Sequence, residues 1–178
     1  DLANRNGSKG QMGPGFEDLL SGRVSLSQLR AVELEDLLGR DSVQLDDVGL
    51  QEQLTGKVVL VTGAGGSIGS ELCRQILRFS PQKLVLFEAS EFALYNIEQE
   101  LNIKFPQLDI FYLAGDVRDA TRLKQVFVEF QPSVVFHAAA YKHVPLMERH
   151  NAWQAVRNNV YGTWQVAQYA QKHGVEKF

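Results

Sequence analysis

KVVLVTGAGGSIGSELCRQILRF, residues 57–79, decides how the rest of the chain is read. It opens with a short apolar run rich in β-branched residues, Val58–Val61, which the glycines from Gly63 onward end. A run of that kind bounded by glycine predicts a buried strand. After Gly66 the apolar residues fall at Ile68, Leu72, Ile76 and Leu77, the spacing of a helix with one buried face. Strand, glycine turn and helix in direct succession make the first half of a β-α-β unit. In that setting Gly63 permits the tight turn, Gly66 lets the backbone approach a pyrophosphate, and Gly69 lets the helix pack closely on the strand. The spacing is GxxGxxG; read as GxGxxG from Gly63, the third glycine would fall on Ile68. No Gly-Lys-Ser/Thr follows, so the loop is not of the Walker type. A glycine turn without a ligand is the plainer alternative.

Working outward, three more apolar runs follow: KLVLFE (83–88), LDIFYLAGD (108–116) and SVVFHAAA (133–140). Helical patterns separate them, SEFALYNIEQELNIKF (90–105) capped by Ser90, and RDATRLKQVFVEF (118–130). A last long helix is expected from an Asn151 cap to a Gly174 stop, and VEKF (175–178) begins a fifth strand. Strands that are continuously apolar and alternate with helices predict an α/β fold, a Rossmann-type doubly wound parallel sheet over residues 55–178. Residues 1–15 are rich in glycine and read as a flexible linker. Residues 16–54 carry two similar pieces, EDLLSGR (17–23) and EDLLGR (35–40), and read as a short helical N-terminal extension.

Composition narrows the function. With 178 residues, 44% hydrophobic and 22% charged, the chain can build one domain with a proper core. A net charge of −3 argues against nucleic acid as a partner. A single cysteine, Cys73, excludes an internal disulfide framework and a multi-cysteine zinc site, and no metal site is expected. No apolar run approaches the ~20 residues that span a bilayer, so a cytoplasmic location is expected. The chain opens at Asp1 with no signal-peptide pattern, as a processed product or a piece of something longer would.

The glycine turn implies a dinucleotide, with the pyrophosphate on the free N–H groups at the helix start. Glu88, 19 positions after Gly69, ends the second strand, where a carboxylate accepts hydrogen bonds from the adenosine ribose and repels a 2′-phosphate. Ala89–Tyr95 holds no Arg or Lys to neutralise such a phosphate, so NAD is expected over NADP. Asp116 and Val117 follow the third strand, where adenine would lie; the other reading makes Asp116 the cap of the next helix. Lys142 leaves the carboxyl edge of the fourth strand and either contacts phosphate or is a plain surface charge. His137, inside an apolar run, reads as a satisfied core histidine rather than a catalyst. Cys73 reads as packing, and Trp153, Trp164 and Tyr169 as core or interface.

Together these residues resemble the extended short-chain dehydrogenase/reductase superfamily, whose fingerprint is TGxxGxxG. LGRDSVQLD (38–46), VTGAGGSIGSELCRQI (61–76), LFEASEFALYNIEQEL (86–101) and HAAAYKHVPLME (137–148) are more narrowly similar to the bacterial nucleotide-sugar 4,6-dehydratases of surface-polysaccharide synthesis. The likeness covers roughly residues 16–178 and is to the long, membrane-anchored branch that acts on UDP-N-acetylglucosamine. It implies that Gly63, Gly66, Ser67, Ile68 and Gly69 hold the pyrophosphate of NAD and Glu88 the ribose. Asp116 and Val117 would flank adenine. Ala138, Ala139 and Lys142 would run beside the phosphates and ribose, and Asn159 of NNVYGT would sit near the nicotinamide. It further implies a UDP-sugar substrate, a homo-oligomer, and membrane attachment only through segments outside this chain.

One departure matters. The superfamily's Ser/Thr-Asp-Lys segment and its Tyr (or Met) ahead of a Lys follow the fifth strand, and no YxxxK occurs in this sequence. No catalytic residue is therefore assigned, and the chain by itself is expected to be inactive. Alternative functions are a nucleotide-sugar epimerase, a 5-epimerising dehydratase, or a non-catalytic NAD-binding module.

Overall fold

A computed structural model describes Gln11–Met12, Arg30–Ala31 and residues 46–178. The chain divides into two compact units, residues 1–45 and 46–178. In the first, β1 (Gln11–Met12) pairs antiparallel with β2 (Arg30–Ala31). The EDLLSGR and EDLLGR pieces, and the proposed linker apart from Gln11–Met12, lie outside the described residues.

The second unit begins at Asp46 rather than at residue 55, because α1 (Asp47–Leu54) belongs to its core. Leu54 is buried there and Leu50 packs beside it. The elements that follow are β3 (Val58–Thr62), α2 (Ser67–Leu77), β4 (Lys83–Glu88), α3 (Glu91–Lys104), β5 (Ile110–Ala114), α4 (Ala120–Phe130) and β6 (Val134–His137). The four strands form one parallel sheet in the order β5-β4-β3-β6. β3 thus has the second strand on one side and the fourth on the other. That reversal opens a crevice at the carboxyl ends of β3 and β6.

The continuous apolar runs have a simple cause: both faces of the sheet are covered. Val59, Val61, Leu84 and Leu86 face one way, against Cys73, Ile76 and Leu77 of α2 and Ile97 and Leu101 of α3. Leu60, Val85, Phe87 and Val135 face the other, against Leu123, Val126 and Phe127 of α4. Ser90 caps α3 as its sequence suggests, its hydroxyl accepting the Ala93 N–H at 3.2 Å. Asp119, not Asp116, caps α4, taking the N–H groups of Thr121 and Arg122 at 2.9 and 3.0 Å.

Two boundaries differ from the sequence reading. β6 stops at His137, and Ala138–Ala140 leave the sheet. The long C-terminal helix is preceded by α5 (Val144–Met147) and a 3₁₀ turn, Arg149–Asn151. It then runs as α6 (Ala152–Ala155), a π-helical stretch, Val156–Gly162, and α7 (Thr163–Lys172). Asn151 stands at its N-cap position, as the sequence suggests, but makes no side-chain cap bond; its amide donates to the Leu146 carbonyl at 2.8 Å. After Gly174, at φ +70°, the chain returns to the sheet edge, where Lys177 bridges Val134 in parallel.

Candidate functional site

A cavity of about 320 Å³ opens at the carboxyl ends of the four strands. Its first wall is the β3–α2 turn. Gly63 takes φ +67°, and a Cβ there would lie 2.6 Å from the Ala139 nitrogen, so only glycine lets the turn meet the chain leaving β6. A Cβ on Gly69 would strike the Gly63 carbonyl, so the third glycine seats α2 against its own turn. Gly66 stands at the N-cap with no side chain to offer. The first N–H groups of α2, on Ser67, Ile68 and Gly69, are therefore left to an outside acceptor at the positive end of the helix.

Glu88, at the end of β4, forms the facing wall. Its two carboxylate oxygens each accept one backbone N–H, from Gly65 and from Ser90, both at 2.9 Å. An ionised carboxylate has about four acceptor sites, so each oxygen keeps a free lone pair, and Glu88 lines the cavity. Asp116 and Val117 follow β5 and close the far end. Asp116 accepts the backbone N–H of Arg118 at 2.8 Å and a forked guanidinium contact from the same residue. That arginine holds its carboxyl below the usual carboxylate range. Among the described residues the lining carries two carboxylates, Glu88 and Asp116, and no lysine, arginine or histidine. Within that lining a phosphate meets the helix terminus, and one at the Glu88 end would meet a negative charge.

The expected residues separate into three groups. Gly63, Gly66, Glu88, Asp116, Val117, Ala138 and Ala139 line one cavity. Ser67 and Ile68 stand exposed at its edge, on the first turn of α2. Gly69, Lys142 and Asn159 do not line it: Gly69 is buried in packing, and Lys142 is exposed on the loop beyond Tyr141. Asn159 instead grips the Tyr141 backbone, its Oδ1 accepting the N–H at 2.8 Å and its Nδ2 donating to the carbonyl at 2.9 Å. Asn158, which sequence reasoning passed over, does line the cavity and donates to the Ala139 carbonyl at 3.1 Å. The doubled asparagine of NNVYGT was the available signal.

His137 lies outside the lining, bonded through both ring nitrogens, and burial lowers its pKa. Cys73 is buried, its thiol pushed up to about 12 by loss of solvent, which makes it inert packing. Among the described residues no group of three or more His, Cys, Asp or Glu could hold a metal. No helix among them is long and apolar enough to cross a membrane.

Residues 59–178 match the family described as "Polysaccharide biosynthesis protein". The capsular polysaccharide biosynthesis protein CapD of Staphylococcus aureus is 49% identical over 93% of this chain and 28% of its own length. A UDP-N-acetylglucosamine 4,6-dehydratase (inverting) of Campylobacter jejuni is 32% identical over 68% of this chain and 35% of its own. Among solved structures, the Bordetella bronchiseptica enzyme WbmG, in complex with NAD and UDP, is similar with a TM-score of 0.52. It is 26% identical, over 66% of this chain and 34% of that one. The chain thus spans roughly a third of the length of the proteins it matches.

Proposed function

This chain belongs to the polysaccharide biosynthesis protein family, and from that premise we propose that it is the NAD-binding part of a nucleotide-sugar 4,6-dehydratase acting on UDP-N-acetylglucosamine. The observation that carries the reading is the pairing of an uncapped helix start after Gly66 with the Glu88 carboxylate, across a cavity that no basic residue among those described lines. The cradle fits NAD: the N–H groups of Ser67, Ile68 and Gly69 take the pyrophosphate, and the free lone pairs of Glu88 take the ribose hydroxyls. A 2′-phosphate placed against Glu88 has no basic neighbour in the lining, which supports NAD over NADP. When bound, NAD supplies the hydride acceptor that a transient oxidation at the sugar C4 requires.

The remaining roles follow the same frame. Asp116 and Val117 flank adenine, and Ala138 and Ala139 form the smooth wall beside the ribose. Lys142 reaches phosphate from the rim, and Asn159 serves the nicotinamide side through the Tyr141 backbone it grips. The named relatives support a UDP-sugar substrate and a task in surface-glycan synthesis. The whole protein works at the cytoplasmic face as a homo-oligomer, and any membrane attachment comes from segments outside this chain. Trp153 and Trp164, exposed on the long helix, suit a contact between copies. With no YxxxK pair in its sequence, this chain binds cofactor without turning over.

The test is turnover by the longest natural polypeptide that contains this chain, given UDP-N-acetylglucosamine and NAD. The expected product is a 4-keto-6-deoxy sugar nucleotide that has lost one water. An epimer with no water lost would establish the 4-epimerase alternative instead. An unchanged UDP-sugar with saturating NAD would reject both.

A further inference from the structure

Behind the cavity runs a chain of polar contacts whose members do not line it. Thr62, the last residue of β3, is fully buried, and its hydroxyl lies 2.6 Å from Nδ1 of His137, the last residue of β6. Nε2 of the same ring lies 2.9 Å from the Thr163 hydroxyl, at the start of α7. Thr163 has one hydroxyl hydrogen, and it goes to the Asn159 carbonyl at 2.7 Å. Thr163 therefore presents a lone pair to His137, which fixes the Nε2–H tautomer and leaves Nδ1 to accept from Thr62. From Asn159 the path returns to the cavity: its side chain holds Tyr141 by both backbone groups, and the adjacent Asn158 amide bonds both Ala139 and Asn159.

The π-helical stretch gives this path its reach. Two adjacent asparagines on an α-helix diverge by about 100°, whereas the wider π turn brings them nearer one side. Here Asn158 and Asn159 both reach the 139–141 segment. On the opposite side, the Ala138 N–H donates to the Thr62 carbonyl at 3.0 Å. The 138–141 wall is thus held at one end by β3 and at the other by the π turn, and His137 joins the two.

We propose that His137 is a positioning residue, which, bridging Thr62 and Thr163, sets the place of the 138–141 wall against a bound dinucleotide. The placement of the wall stands on the contacts above; the effect on a dinucleotide rests on the cofactor reading of the preceding section. The test uses the whole chain and two substitutions, Thr163→Val, which removes the link, and Thr163→Ser, which keeps it. Hydrogen exchange is read at the Tyr141 N–H without ligand, with the Gly63 N–H, which donates to the Phe87 carbonyl, as the internal reference. In Thr163→Val, Tyr141 is expected to lose protection about tenfold relative to Gly63, and the NAD dissociation constant to rise by about the same factor. Thr163→Ser restores both. Uniform loss of protection, unchanged protection at Tyr141, or lost protection with unchanged NAD affinity overturns the proposal. Should the valine variant not fold, ¹⁵N shifts of the His137 ring in the unmutated chain decide: the Nδ1–H tautomer breaks the relay. If the unmutated chain binds no NAD, the cofactor reading falls, while the exchange result still judges the wall.

Discussion

At Glu88 one carboxylate ties parts of the fold together and, in the function proposed above, also takes the ribose. By accepting from Gly65 and Ser90 it ties the glycine turn to the start of α3, and it lines the cavity with acceptor capacity to spare. Replacing it with alanine removes both ties along with the ribose acceptor. Glu88→Ala is therefore expected to weaken NAD binding by tenfold or more, since each hydrogen bond to a charged group contributes about 1.5–3 kcal/mol. Calorimetric titration reads this directly, and an unchanged affinity would remove Glu88 from the site. His137 makes a second prediction at this scale. Burial depresses its pKa below the ordinary histidine value of about 6.5, so on acidification the unfolded chain takes the proton first. Its contribution to stability is full above about pH 6.5 and shrinks as the pH falls below that toward the folded pKa. The stability gap between the unmutated chain and His137→Gln should be wider at about pH 7.5 than at about pH 5.5 by denaturant titration; a gap independent of pH would contradict it. The glycine turn and the place of Glu88 at the end of β4 were legible in the sequence because both follow from local spacing. The Gly65–Glu88 bond and the place of Asn158 were not, because each depends on which strands become neighbours.

Among the elements, α2 and α3 are joined at the surface by a forked contact. Arg74 Nε donates to Glu100 Oε1 at 2.7 Å and its Nη2 to Oε2 at 2.8 Å, with Lys104 adding a third donor at 2.7 Å. Arg74 foremost draws the Glu100 carboxyl down to about 2. A depressed acid contributes stability above its unfolded pKa, here 4.5, and loses it as the pH falls from there toward about 2. The cluster is partly solvated, so its worth is about 0.5–1 kcal/mol at neutral pH. Glu100→Gln should lower stability by that amount near pH 7 and have no effect near pH 2; an equal effect at both would mean packing, not charge, is responsible. Strands and helices of the sheet were legible because apolar period and caps change together at their ends, as at Ser90. The π-helical stretch was not, since Val156–Gly162 keeps ordinary helical composition and only its hydrogen-bond pattern differs. That α1 belongs to the second unit was not legible for a related reason: Leu54 gains its meaning only from the core it enters.

For the whole molecule, the alternation of apolar strands with helices foretold a doubly wound sheet, and the order β5-β4-β3-β6 places its crevice where the glycine turn emerges. Trp153 and Trp164, which the sequence left open between core and interface, are exposed at 66% and 56%, whereas Tyr169 stacks on Phe127 at 5.9 Å. Periodicity alone could not separate them, because the helix is covered on one side only. On the function proposed above, this unit is a cradle for NAD, built from a helix start and a carboxylate in a cavity that no basic residue among those described lines. Calorimetric titration of the chain, stripped of any bound nucleotide, with NAD+ and separately with NADP+ tests it most directly. Saturable binding of NAD+ is expected, with an affinity for NADP+ lower by about tenfold or more, since a 2′-phosphate would face the Glu88 carboxylate. Equal or tighter binding of NADP+, or no binding of either, would contradict it.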